Sequence, residues 1–286
     1  MIYVDISSNR IQWYPGHMAK AKRQLAESLS MVDAVIEILD ARLPLSSRNP
    51  DIGTLFGSKP CLTLLNKSSL ADDKREKYFI DLLRSDGRRV IAVDCKAYRN
   101  ISLVTPALRE LLTDKLESDA AKGMTRPLRV MVAGITNVGK STFINTYTKT
   151  KKAKAEDRPG VTRESRWISS PYGIEMLDTP GLLWHKFDDP AVGIKLACTG
   201  AIKDEILDLY SLSHELLGML AQSYPALLEA RYGIKISAGD SISDIFVSIA
   251  RRRGFLRAGG EIDEERTAAV LLDEFRGGRI GRITLD

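Results

Sequence analysis

Residues Gly134-Ile135-Thr136-Asn137-Val138-Gly139-Lys140-Ser141 spell GxxxxGK[ST], between the apolar run Val130-Met131-Val132 and a helical stretch from Lys140 to Tyr147. Strand, glycine loop and helix in that order make a phosphate cradle. The glycines let backbone N–H groups close around phosphate oxygens, and the helix N-terminus adds positive potential. Lys140 reaches the β and γ phosphates, and Ser141 ligates Mg²⁺. The stretch therefore predicts a nucleoside triphosphate site, with Asn137, Val138, Gly139, Lys140, Ser141 and Thr142 along the phosphates.

Downstream, Ile174-Glu175-Met176-Leu177 reads as a strand that delivers Asp178-Thr179-Pro180-Gly181 to the same crevice. Asp178 is expected to hold Mg²⁺ through its shell, and the Gly181 N–H to bond a γ-phosphate oxygen. Between the two motifs, Arg158-Pro-Gly-Val-Thr162-Arg163 offers the Thr162 hydroxyl to the metal shell when its loop closes.

Upstream, Val35–Leu39 running into Asp40, Cys61–Leu65 ending at Asn66, and Val90–Val93 read as buried strands. A helical period with Met18, Leu25 and Leu29, a helix over 72–84 and another over about 103–116 alternate with them. This is the pattern of βαβ units, an α/β fold with a mainly parallel sheet flanked by helices. The polar, small-residue stretch from Asp114 to Pro127 reads as a linker. Beyond about Pro190 the strand pattern stops. Ile202, Ile206, Leu209, Leu216, Leu217 and Leu220 make a helical face, followed by helices over 243–253 and 263–276 with Gly277 as C-cap. The expected organisation is a basic extension over 1–25, an α/β domain over 26–190 and a small all-α C-terminal domain over 195–286.

With 286 residues, 44% hydrophobic and 28% charged, the chain has ordinary globular composition and length for more than one core. It has no apolar run of membrane-spanning length, and MIYVDISSNRIQWYPGH lacks a basic segment followed by an apolar one, so neither secretion nor membrane insertion is expected. Three widely spaced cysteines without metal-ligand spacing fit a reduced, cytoplasmic chain. A formal charge of +5 does not by itself announce a nucleic-acid binder.

Asn66-Lys67 looks like the start of the NKxD element that reads guanine in GTPases, and Asp94-Cys95-Lys96 stands where the SAK-like base loop belongs. Both precede the P-loop, which is the circularly permuted order. With that order, WYPGHMAKAKRQ (13–24), DARLPLSSRNP (40–50), RPGVTR and a helical tail, the chain resembles the ribosome biogenesis GTPase A family (RbgA, also called YlqF) over nearly its whole length. The resemblance implies a circularly permuted P-loop GTPase domain, GTP hydrolysis, Mg²⁺, stimulation by K⁺, and late assembly of the large ribosomal subunit through contacts to rRNA. It places Asn66, Lys67, Cys95 and Lys96 on the base, His17 on the attacking water, and Asn137 on a monovalent cation beside the phosphates.

Two positions depart from the usual GTPase pattern. The NKxD aspartate is replaced by Ser69, a weaker, uncharged acceptor for the guanine edge. Ser69→Asp is accordingly expected to tighten GTP relative to ATP, and Asp72 is an alternative carboxylate if the loop bends. The glutamine position after Gly181 holds Leu182, which cannot polarise water, so the group must come from elsewhere; the resemblance points to His17, an imidazole suited to the task, with His185 as a rival. Catalytic work thus falls on His17, Lys140, Thr162 and Gly181. These departures keep two other readings open: a base-promiscuous or ATP-preferring hydrolase, and an RNA-binding scaffold with little turnover.

The tail is slightly net acidic, but its arginines group as Arg251-Arg-Arg-Gly-Phe-Leu-Arg257 and Arg276-Gly-Gly-Arg-Ile-Gly-Arg282. With Phe255 expected to stack, these clusters suit RNA, as do Tyr14, Lys20, Lys22 and Arg23 near the start. The alternative for each is a solvated surface. The segment 182–190 leads from the phosphate motifs into this tail, so RNA affinity is expected to depend on the nucleotide. No membrane partner is expected, and the protein is read as a monomer.

Overall fold

The structure, a computed structural model, describes residues 23, 25–150, 153, 166–184 and 187–286. They fall into two compact units, one running through Trp184 and the other over 187–285. His17, Thr162, His185, Tyr14, Lys20, Lys22 and the Arg158–Arg163 stretch lie outside the described residues.

The first unit is built on six strands: β1 Ala34–Asp40, β2 Cys61–Asn66, β3 Arg89–Ala92, β4 Leu128–Ala133, β5 Arg166–Ser169 and β6 Ile174–Asp178. Their order in the sheet is β3-β2-β1-β4-β6-β5. Every pairing is parallel except β5 with β6. All seven residues of β1 are buried, as a strand covered on both faces requires. The chain steps outward from β1 through β2 to β3, then returns to lay β4 on the other side of β1. The strand order reverses between β1 and β4, and at such a switch point a crevice opens outside the carboxyl ends.

Helices follow the local capping chemistry. α1 (Pro50–Phe56) starts with Pro50 behind Asn49, whose side chain accepts from the Asp51 N–H. α2 (Asp73–Ser85) is capped by Asp72, which accepts from the N–H groups of Lys74 and Arg75. Asp72 is thereby committed to its own helix, and the alternative of a loop bend toward a base is set aside.

The helix expected over about 103–116 is two, α3 (Val104–Leu111) and α4 (Thr113–Ala121), broken at Leu112. α4 also absorbs most of the expected linker. Lys115 and Asp119 pair one turn apart at 2.8 Å, and Asp119 is buried. Arg126 then clamps Asp33, just ahead of β1, with two bonds of 2.7 and 2.9 Å. The join between α4 and β4 is an anchored connection.

β1 ends on Asp40, whose surroundings set up the site. Its carboxylate accepts from Arg42 Nε at 2.9 Å and Nη2 at 2.7 Å, and pairs with Lys67 Nζ at 2.9 Å. Asp40 and Arg42 are each 2% exposed. Leu39 and Leu65 pack nearby with Leu83 and Val90.

Among its described residues the second unit is built on helices, with one isolated bridge between Leu256 and Ile262: α5 follows the P-loop in the first unit (Lys140–Thr148), and here come α6 (Pro190–Cys198), α7 (Leu209–Ser223), α8 (Pro225–Tyr232), α9 (Ile242–Arg253) and α10 (Glu264–Arg276). Leu212, Leu216, Leu217 and Leu220 of α7 are fully buried. Ile206 belongs to a short 3₁₀ turn ahead of α7, so the single apolar face expected from Ile202 onward is split between elements. Glu274 ties α10 to α8 and α9, taking Arg231 at 2.6 and 3.0 Å and Arg253 at 2.6 Å.

Asp40→Ala removes the carboxylate paired with the buried Arg42 guanidinium and is expected to cost about 3–5 kcal/mol in urea denaturation. Burial opposes ionisation of Asp40, but Arg42 and Lys67 outweigh it and hold the carboxyl far below the usual range. A depressed folded pKa contributes stability above the unfolded value, near 4, that drains away as pH falls toward the folded one. The wild-type minus Asp40→Ala difference should therefore be flat from about pH 5 to 8 and shrink below about pH 4.

Candidate functional site

The P-loop leaves β4 and enters α5 at the switch point between β1 and β4. Gly139 has φ 97°, and a Cβ there would stand 2.4 Å from Asn66 Nδ2, so both backbone and space demand glycine. Lys140 is buried, with Nζ donating to the Ile135 carbonyl at 2.6 Å. Ser141 and Thr142 are half-buried on the first turn of α5.

Asp178, at the end of β6, is 3% exposed, and its Oδ2 lies 3.3 Å from Ser141 Oγ. Its Oδ1 is buried with no hydrogen-bond partner among the described residues. An orphaned carboxylate oxygen beside a hydroxyl at a helix N-terminus is a hard-oxygen donor pair, suited to a small divalent cation that takes its remaining ligands from phosphate and water. Burial raises the Asp178 carboxyl, against the opposing pull of Lys140. Burial likewise pulls the Lys140 ammonium down to about 8, opposed by Asp178. A phosphate anion and a divalent cation would relieve both costs.

The segments around Asn66–Lys67 and Cys95 are stapled to the P-loop and α5. The Asn66 side chain donates to the Val138 carbonyl at 2.8 Å and accepts from the Cys95 N–H at 3.2 Å. Lys67 Nζ donates to the Asn137 carbonyl at 2.6 Å as well as pairing with Asp40. Lys67 and Asn137 both hold left-handed backbones, φ 61° and 59°, at the two ends of that bond. Thr146 of α5 donates to the Cys95 carbonyl at 3.2 Å. Burial pushes the Cys95 thiol up to about 12, which leaves it neutral. Lys96 stands exposed on the rim.

Gly181 passes so close to the P-loop that a Cβ would meet Thr136 Cα at 2.8 Å. Leu182, its neighbour, points into the core with Leu25, Leu29, Val35, Ile52 and Phe56. Its carbonyl accepts from Asn49 Nδ2 at 2.7 Å. The structure thus brings together Asn66, Lys67, Cys95, Asn137, Val138, Gly139, Lys140, Ser141, Asp178 and Gly181.

The chain aligns with known proteins over almost its full length. The 50S ribosome-binding GTPase family model matches residues 129–220. Ribosome biogenesis GTPase A of Bacillus cereus is 44% identical over 96% of this chain and 93% of its own. The chain belongs to the ribosome biogenesis GTPase A family. The Priestia megaterium member is also 44% identical, with 96% of each chain covered. GNP-bound YlqF from Thermotoga maritima superposes with a TM-score of 0.65 at 28% identity, covering 93% of this chain and 97% of that one. The α/β unit is accordingly a circularly permuted GTPase domain.

Two elements of this family member's site escaped the sequence reading. Asp40 with Arg42 was legible only as part of a shared segment; the signal was a carboxylate and an arginine flanking the end of a strand. Asp94 stands in the base-loop position of the sequence motif, and its carboxylate holds Ser69. In the tail the structure corrects the stacking expectation. Phe255 is 8% exposed and lies under the Arg266 guanidinium, so it is not presented to a base. Arg276 pairs with Asp204 and donates to the carbonyls of Ala197 and Cys198, and Arg253 is held by Glu274. Arg251, Arg252, Arg257 and Arg279 are the exposed arginines of the two clusters. Arg251 and Arg257 line an open depression of about 580 Å³ beside Gly259 and Gly260.

Because the Lys140 pKa lies below its ordinary 10.5, the folded protein binds fewer protons there than the unfolded chain between about pH 8 and 10.5. This group's contribution to stability therefore rises with pH across that window. A polyphosphate against Nζ restores the ammonium, so nucleotide binding at pH 8.5 should take up a proton. Calorimetry in two buffers of different ionisation enthalpy reads this directly, and equal heats in both would refute it.

Proposed function

We propose that this protein is a GTP-hydrolysing assembly factor acting in late maturation of the large ribosomal subunit, a cytoplasmic monomer whose grip on rRNA depends on the bound nucleotide. The observation that carries the reading is the orphaned Asp178 oxygen beside Ser141 at the mouth of a P-loop, in a chain matched over 96% of its length by a ribosome biogenesis GTPase. Those relatives do not favour an ATP-preferring hydrolase or a scaffold without turnover. Among the described residues no helix is long and apolar enough to cross a membrane.

In this reading, Ser141 and Asp178, together with Thr162, would hold Mg²⁺, which when bound would neutralise charge on the phosphates. Lys140 stabilises the charge that develops on the transferring phosphoryl group. The Gly181 N–H reads the γ-phosphate. His17 orients the attacking water, and Asn137 would help hold a K⁺ ion, which would add positive charge near the phosphates. Exposed Arg251, Arg252, Arg257 and Arg279 supply phosphate contacts to rRNA.

The direct test is co-sedimentation with purified large subunits. Binding is expected to be tighter with a non-hydrolysable GTP analogue than with GDP, and a folded Lys140→Ala protein should lose that nucleotide dependence. Indifference of the wild type to nucleotide would refute the switch.

Steady-state phosphate release probes the remaining roles. Turnover should be faster in K⁺ than in Na⁺, with Asn137→Ala abolishing the difference. His17→Ala should lower kcat at little change in nucleotide affinity, since a water-orienting group acts in the transition state. Equal rates in both salts, or an affinity loss alone for His17→Ala, would remove those assignments.

A further inference from the structure

We propose that Ser69 reads the guanine edge as an obligate hydrogen-bond acceptor, because Asp94 takes its only proton. The proposal rests on the GTPase reading above and names the group that gives that site its base preference.

Where GTPases carry an aspartate, this chain has Ser69, and where the base loop carries a serine it has Asp94. The two residues meet. The Ser69 hydroxyl donates to Asp94 Oδ2, and the Ser69 N–H donates to the same oxygen at 3.3 Å. Asp94 Oδ1 accepts from the Ala97 N–H at 2.8 Å. Paired backbone bonds between Asp94 and Arg99, at 2.9 and 3.1 Å, close the loop behind it. Asp94 is 4% exposed, whereas Ser69 is exposed. The carboxylate therefore sits beneath the rim and the hydroxyl on it.

A hydroxyl has one proton to give and two lone pairs. Its proton is committed to an anion, a bond of the stronger, charge-assisted kind, so toward a ligand the oxygen can only accept. Guanine offers donors along this edge, its ring N1–H and its 2-amino group. Adenine offers an acceptor, N1, and would set lone pair against lone pair. A lone serine would accommodate either base by rotating its proton; the Asp94 bond removes that freedom.

The placement agrees. Asn66, three residues before Ser69, lies against Gly139 and Val138 of the P-loop and receives the Cys95 N–H, next to Asp94. Ser69 sits in the 3₁₀ turn Ser68–Leu70 that continues this rim.

This pairing reverses the expectation from the sequence alone. Ser69→Asp places a second carboxylate against Asp94, and the like charges repel. The carboxylate is welcome at position 69 only when position 94 gives it up.

The test measures displacement of a fluorescent GDP analogue by GDP and by ADP, with melting curves to confirm folding. The proposal expects the GDP-over-ADP preference to fall about tenfold in Ser69→Ala, the loss of roughly one hydrogen bond. It expects a fall in Ser69→Asp as well, and recovery in the exchanged pair Ser69→Asp/Asp94→Ser to within about threefold of wild type. An unchanged preference in Ser69→Ala, or an exchanged pair no better than Ser69→Asp, overturns it. Failure of the underlying GTPase reading looks different: wild type and Lys140→Ala would then bind GTP equally well.

Discussion

The site is organised around one buried carboxylate. Asp40 ends the strand that lies at the centre of the sheet, and it holds Arg42 and Lys67 at once. Lys67 carries the link onward to the Asn137 carbonyl, and its neighbour Asn66 carries a second one to Val138. Through Cys95 the third strand's loop joins the same lattice. The ends of β1, β2 and β3 and the loop after β4 are thus bound into one polar platform. Such a lattice is costly to leave half-made, since each buried charge or amide loses water on folding. Its members are consequently fixed in position by the fold, which is the pre-organisation that nucleotide recognition needs.

That platform also explains how the strand order can be permuted without loss. A sheet is held by neighbours in space, and the staples between base loop and P-loop run between residues that are adjacent across strands, whichever comes first in the chain. The permuted join has its own anchoring. Arg126 grips Asp33 and reaches Asp119 at 3.5 Å, so the new connection into β4 is tied to the start of β1, the strand beside it. A slack linker was the natural reading of small and polar residues from Asp114 to Pro127. Helix propensity in Lys-Leu-Glu and the Lys115–Asp119 pair decide otherwise.

Legibility followed how local the determining physics was. The P-loop, the strand to Asp178 and the other four parallel-paired strands announce themselves because their signals are contiguous: apolar runs, glycines and a terminal carboxylate. β5 does not. It is an edge strand with mostly exposed residues, Trp167 among them, and its pairing to β6 is written in the partner. Phe255 reads as a stacking group next to arginines until Arg266, eleven residues on, is found covering it. Ser69 reads as a loss until Asp94, twenty-five residues on, is found beneath it. In each case the missing information is a contact between distant positions, which no window along the chain contains.

Leu182 shows how the same core constrains chemistry. At the position that carries a glutamine in many GTPases, its side chain fills a cluster with Leu25, Leu29 and Phe56, and Asn49 holds its carbonyl. Gly181 before it has no room for a side chain against Thr136. Rotating residue 182 toward the phosphates would empty a packed apolar site, a change of the large-to-small class that costs about 2–5 kcal/mol. A polar side chain at 182 would be buried without a partner in this arrangement. The segment after Asp178 is therefore suited to sensing a phosphate through its backbone and unsuited to delivering a side chain to a water molecule. Any side chain that orients a water molecule at the phosphates therefore has to come from another part of the chain than residue 182.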